Sequence, residues 1–67
     1  MIRFCLFGSG RMGEVYSKII AQHEGAELVA VVSTNRGTAS ALTSRYGGQV
    51  FKSFTDCLGS VEVDAAI

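Results

Sequence analysis

Apolar residues run almost unbroken from Met1 to Phe7, with Arg3 the one charge among them. A short apolar run closed by a glycine turn predicts a strand buried on both faces, as in a parallel sheet. After Gly8-Ser9-Gly10 the period changes. Met12, Val15, Tyr16, Ile19, Ile20 and His23 follow in steps of three and one. That spacing predicts a helix with one oily, inward face, and Gly25 is placed to stop it. Leu28 to Val32 predicts a second strand and Ser33 to Gly37 a polar loop. Thr38 to Tyr46 predicts a second helix with Ala39, Leu42 and Tyr46 inward, closed by Gly47-Gly48. Gln49 to Phe51 reads as a short third strand. Ser53, with an acid three residues on at Asp56, reads as the cap of a short helix to Leu58. Val63 to Ile67 opens a fourth strand.

The predicted order is β-α-β-α-β-short α-β. Alternating strands and helices, with strands apolar on both faces, define an α/β fold: a Rossmann-type parallel sheet with right-handed crossovers. No repeat, linker or second domain is visible. The last residues read as the start of a buried strand, whereas chain ends are usually polar and exposed. The expectation is that residues 1–67 are the N-terminal part of a dinucleotide-binding Rossmann domain, truncated after the fourth strand begins. The C-terminal substrate domain would then lie outside this chain.

Composition narrows the function classes. The chain is 48% hydrophobic and 18% charged, which excludes a disordered segment. Its formal net charge is zero, and Arg3, Arg11, Lys18, Arg36, Arg45 and Lys52 are scattered, so no basic patch for nucleic acid is expected. No apolar run approaches the roughly 20 residues that span a bilayer, and the N-terminus lacks the pattern of a signal peptide. Cys5 and Cys57 have no metal-type spacing and read as reduced core thiols. These points together predict a cytoplasmic protein without a metal site.

The chemistry lies in Gly8-Ser9-Gly10-Arg11-Met12-Gly13, a G-x-G-x-x-G string between a strand and a helix. Gly8 lets the chain turn off the strand, Gly10 leaves room for a pyrophosphate, and Gly13 lets helix and sheet pack closely. The first-turn amides of Arg11, Met12 and Gly13 and the helix dipole then face the phosphates. Tight strand-to-helix connection alone is the competing reading. The triphosphate loop is excluded, because no Gly-Lys-Ser/Thr follows.

The second strand ends about 20 residues past Gly13, where dinucleotide sites read the ribose. A carboxylate there would accept from an NAD 2′-hydroxyl and repel an NADP 2′-phosphate. This chain has Ser33-Thr34-Asn35-Arg36. Ser33 and Thr34 can donate to phosphate oxygens and Arg36 can add a charge-assisted bond. The cofactor expectation is therefore NAD(P), with a lean to NADP or to dual use. The competing reading is a polar loop in which Ser and Thr cap a helix and Arg36 is solvated. His23 reads as part of a helix C-terminus, Tyr16 and Tyr46 as core. Asp56, Glu62 and Asp64 form no evident pair, and no Ser-His-Asp or Cys-His set can be assembled.

Taken together, Ile2 to Gly13 (IRFCLFGSGRMG), Glu27 to Val32 (ELVAVV), Ala41 to Gly47 (ALTSRYG), Phe51 to Leu58 and Val61 to Ile67 (VEVDAAI) resemble the N-terminal domain of the glucose-fructose oxidoreductase / inositol dehydrogenase / MocA family. The resemblance covers essentially the whole chain. It implies a two-domain, NAD(P)-dependent oxidoreductase passing hydride between the nicotinamide and a polyol or sugar-like hydroxyl substrate, as an inositol 2-dehydrogenase does. It places pyrophosphate contacts at Gly8, Gly10, Gly13 and the Arg11-Met12 backbone, and ribose selection at Ser33. The family's catalytic lysine, in a Glu-Lys-Pro segment, and its later Asp/His pair would follow Ile67, so no catalytic residue is assigned and these 67 residues alone are expected to be inactive. Homo-oligomers through the absent domain are implied in the same way. Two positions depart: Ser33 stands where NAD-using members often have Asp, and Tyr16 where His is common.

Other readings share parts of this pattern. A dihydrodipicolinate reductase carries Gly-Arg-Met-Gly, but its loop is one residue longer and its first glycine would fall at Phe7. A 6-phosphogluconate-type dehydrogenase has an Arg where Thr34 stands. A non-catalytic NAD(P)-binding or sensing module would look the same over these residues, and a degenerate structural copy is disfavoured by the intact glycines.

Overall fold

The computed structural model describes all 67 residues. Seven elements follow one another: β1 (Ile2–Phe7), α1 (Arg11–Gln22), β2 (Ala26–Val32), α2 (Arg36–Tyr46), β3 (Gln49–Phe51), α3 (Phe54–Ser60) and β4 (Ala65–Ala66). The strands form one parallel sheet in the order β3-β2-β1-β4. The expected α/β parallel architecture is thus the observed one. The chain steps outward from β1 to β3, then returns to the other side of β1. That reversal opens a crevice beyond the carboxyl ends of β1 and β4, the place where open α/β sheets bind ligands.

Two apolar layers sandwich the sheet. Leu6, Leu28 and Val31 pack beneath Ile20 of α1 and Ala39 and Leu42 of α2. On the opposite face Cys5, Ala30 and Val32 pack against Cys57 of α3. The two thiols are buried and free, with sulfurs 3.9 Å apart. Burial, and then the contact with Cys57, pushes the Cys5 thiol up to about 12. Strict alternation along β2 would not put Leu28 and Val31 on one face. A bulge reconciles them: Phe4 pairs with Leu28 but Cys5 with Ala30, so Val29 is an extra residue. Gly48, at φ +95°, lies against this bulge, and a Cβ there would meet the Leu28 oxygen at 3.0 Å.

The caps explain the helix limits. Ser53 Oγ accepts from the Asp56 amide at 3.2 Å, as its spacing suggested. Helix α2 starts two residues earlier than expected, because Asn35 caps it by accepting from the Thr38 amide at 3.2 Å. Gly47, at φ +91°, closes α2 by donating its N–H to the Thr43 carbonyl. Helix α1 instead ends at Gln22 with an extended His23, and Gly25 plays no left-handed role. Helix α3 runs on to Ser60. Strand β4 is shorter than expected, although backbone hydrogen bonds to β1 continue from Asp64 to Ile67.

The inward face of α1 is also corrected. Its buried residues are Gly13, Ser17 and Ile20, while Met12, Val15, Tyr16 and Ile19 are exposed. The oily stripe is real but lies about a third of a turn away from the sheet. The helix sits small residues down, since a bulky stripe would hold it off the sheet. No helix is long and apolar enough to cross a membrane.

Candidate functional site

The glycine turn sits where β1 hands the chain to α1. Gly8 adopts φ +88°, a conformation L side chains rarely take. Its N–H donates to the Val32 carbonyl at 2.8 Å, tying the turn to the end of β2. Gly10 is the N-cap of α1 and supplies no side-chain cap. A Cβ on Gly10 would meet nothing within 4 Å, so the space before the helix is open. An uncapped N-terminus with free first-turn amides, opening into empty space, suits an anion. Arg11 and Met12 lie exposed in that first turn, whereas Gly13 is buried beneath it.

Ser9 is the buried member of the turn. Its hydroxyl lies 2.9 Å from Ser33 Oγ and 2.5 Å from Thr38 Oγ1, joining the starts of α1 and α2 to the end of β2. Ser33 is held further by its backbone N–H, which donates to the Phe51 carbonyl at 3.0 Å. Of the residues expected at the ribose end, the structure brings Ser33 into this cluster. Thr34 and Arg36 stay exposed outside it, Arg36 in the first turn of α2 rather than in a loop. Arg36 and Arg11 enter none of the ion pairs, which are Arg3–Glu62, Arg3–Asp64 and Arg45–Glu14. Ser9, Gly10, Arg11, Thr38, Leu42 and Arg45 line a pocket of about 280 Å³ between the two helices.

Sequence reasoning missed Thr38 in this role. Its signal was the position three residues after an Asn cap, which places a side chain back over the first turn. The carboxylates Glu62 and Asp64, apparently unpaired in sequence, converge on Arg3. Asp64 Oδ2 accepts from the Arg3 backbone N–H at 2.8 Å and from its Nε at 3.1 Å, and Glu62 bonds the same guanidinium. These groups tie β4 to β1 at the opposite end of the sheet from the glycine turn. They are structural.

Strand order, glycine turn and uncapped helix together define a dinucleotide-binding Rossmann unit. Residues 2–67 match the family model described as "Oxidoreductase family, NAD-binding Rossmann fold", and the chain belongs to that glucose-fructose oxidoreductase / inositol dehydrogenase / MocA family. It is 32% identical over 66 residues to an inositol 2-dehydrogenase of Rhizobium meliloti (strain 1021), covering 98% of this chain and 20% of the relative. It superposes on the WlbA dehydrogenase of Bordetella pertussis, solved with NADH and UDP-GlcNAcA, at TM-score 0.84 and 38% identity, over 97% of this chain and 19% of that one. The myo-inositol dehydrogenase of Lactobacillus casei, solved with NAD(H) and myo-inositol, gives TM-score 0.86 at 25% identity, over 98% and 20%. The chain thus spans about a fifth of the length of the relatives it matches.

Proposed function

We propose that this chain is the cofactor-binding opening of an NAD(P)-dependent oxidoreductase that acts on a CH–OH group of a polyol or sugar-like substrate. The observation that carries the reading is the open, uncapped start of α1 at Gly10, set at the crevice where the strand order reverses. The amides of Ser9, Gly10, Arg11, Met12 and Gly13 would hold the pyrophosphate, with Gly8, its own N–H bonded to the Val32 carbonyl, turning the chain and Gly10 giving room. Bound there, the nicotinamide supplies the hydride acceptor or donor. These residues bind and orient; the substrate pocket and the proton-transfer group are assigned to the part of the protein outside residues 1–67. A polyol or sugar-like substrate is inferred from the relatives. The free thiols suit a reducing compartment, and we place the protein in the cytoplasm.

For the cofactor we propose NADP alongside NAD. No carboxylate stands at the end of β2 to repel a 2′-phosphate. Ser33 lies there with its hydroxyl partly open, and Thr34 and the unpaired Arg36 flank it. Titrating the intact protein with NADH and NADPH, following nicotinamide fluorescence, tests the reading. Saturable binding of both is expected; saturable binding of neither overturns it.

A further inference from the structure

Three hydroxyls meet where β2 ends, and their protons have to be ordered. A hydroxyl has one proton to give and two lone pairs to fill. Ser9 Oγ contacts both Ser33 Oγ and Thr38 Oγ1. The Asn35 carbonyl lies 3.3 Å from Thr38 Oγ1 and 3.5 Å from Ser33 Oγ, so either hydroxyl can donate to it. The Asn35 amide donates to Ser33 Oγ at 3.1 Å.

Two orders satisfy these contacts. In the first, Ser33 donates to Ser9, Ser9 to Thr38, and Thr38 to the Asn35 carbonyl. Ser33 has then spent its proton and offers one lone pair outward. In the second, Thr38 donates to Ser9 and Ser9 to Ser33. Both Ser33 lone pairs are then filled, and Ser33 offers a proton instead. The shorter approach to the Asn35 carbonyl belongs to Thr38, which favours the first order.

We propose that Thr38, acting through Ser9, is a positioning residue that sets the balance between NAD and NADP by deciding whether Ser33 offers a lone pair or a proton. The inference rests on the dinucleotide reading given above. A ribose 2′-hydroxyl donates and accepts, so NAD meets either order. An ionised 2′-phosphate only accepts, so NADP meets only the second and has to reverse the chain first. Thr38 therefore restrains NADP while leaving NAD largely untouched.

The test is Thr38→Val in the intact protein, with dissociation constants for NAD and NADP measured by calorimetry at pH 8. Valine keeps the shape and removes the hydroxyl. The buried Ser9 proton then turns to Ser33 rather than stay unpaired, and Ser33 becomes a donor. Affinity for NADP relative to NAD is expected to rise about fivefold, the worth of one ordinary hydrogen bond. Thr38→Ser, which restores the hydroxyl, is expected to return the wild-type ratio. Ser9→Ala cuts the chain at its middle, frees the Ser33 proton, and is expected to shift the ratio the same way. An unchanged or opposite ratio in folded Thr38→Val and Ser9→Ala, both cofactors still binding, overturns this inference and leaves the dinucleotide reading standing. Wild-type protein that binds neither cofactor overturns both.

Discussion

Gly13 lies directly beneath the carbonyl of Gly8: a Cβ at position 13 would stand 3.0 Å from the Gly8 oxygen and 3.4 Å from Leu42 Cδ1. The third glycine of the motif is thus a packing residue, while the second faces open space. Gly13→Ala is expected to cost about 1–3 kcal/mol of stability, because backbone cannot give way as a flexible side chain does. Gly10→Ala is expected to cost less than about 1 kcal/mol, as a poorer N-cap, and to weaken NADH binding about tenfold or more, by occupying the phosphate's space. Equal loss of stability in the two variants would contradict this division.

Ser17 tests the seam between α1 and the sheet. It is fully buried and its hydroxyl has no hydrogen-bond partner. Ser17→Ala removes an unsatisfied group, changes little volume and improves helix propensity. A gain of about 1 kcal/mol is expected from thermal or urea melts. A loss would show that the hydroxyl is satisfied in solution.

Asp64 gives the acid limb of stability a specific contributor. Its side-chain hydrogen bond with Arg3, and then the Arg3 backbone N–H, hold its carboxyl below the usual range. A carboxyl depressed in the fold adds stability above a pH of about 4, where the unfolded side chain ionises, and loses it as pH falls through the lower folded value. Asp64→Asn is expected to lower the urea midpoint at pH 7 and to have less effect near pH 2. The same difference at both pH values would rule out this linkage.

Ser33→Asp would place a carboxylate at the end of β2. NADP affinity is expected to fall at least about tenfold through charge repulsion, with NAD binding kept. Parallel titrations of the two cofactors read this directly. Retained NADP affinity would mean that the 2′-phosphate is held away from Ser33.

Much of this architecture was legible because its signals are local. Apolar runs marked strands, Gly8, Gly10 and Gly13 marked the turn, Ser53 announced its cap, and Ala39 and Leu42 faced inward as spaced. The misplacements share a cause: they depend on partners distant in sequence. The sheet-facing side of α1 is decided by what Gly13 meets, not by where the oily stripe lies. The start of α2 was hidden because Ser33, Thr34 and Asn35 are all capping residues, and Ser33 is drawn off to Ser9. The hydroxyl cluster joins residues 24 and 29 positions apart, and the Arg3–Asp64 clamp residues 61 apart. No local pattern carries such pairings.

The extra residue in β2 has a consequence for how this site could be lost or remade. Successive strand residues alternate faces, so one inserted position reverses everything after it. Beyond Val29, the odd-numbered residues face α1 and α2, which is why Ser33 reaches Ser9 and Thr38. Deleting the codon for Val29 would only remove the bulge and leave Ser33 on the same face, whereas deleting one between Ala30 and Ser33 would leave the proposed cofactor residues present in the gene yet turn Ser33 toward α3. An indel beyond the bulge is therefore a more abrupt route to changed cofactor use than any substitution in the loop, while one at the bulge itself, where Gly48 is fitted, is the change this strand can absorb without re-aiming Ser33.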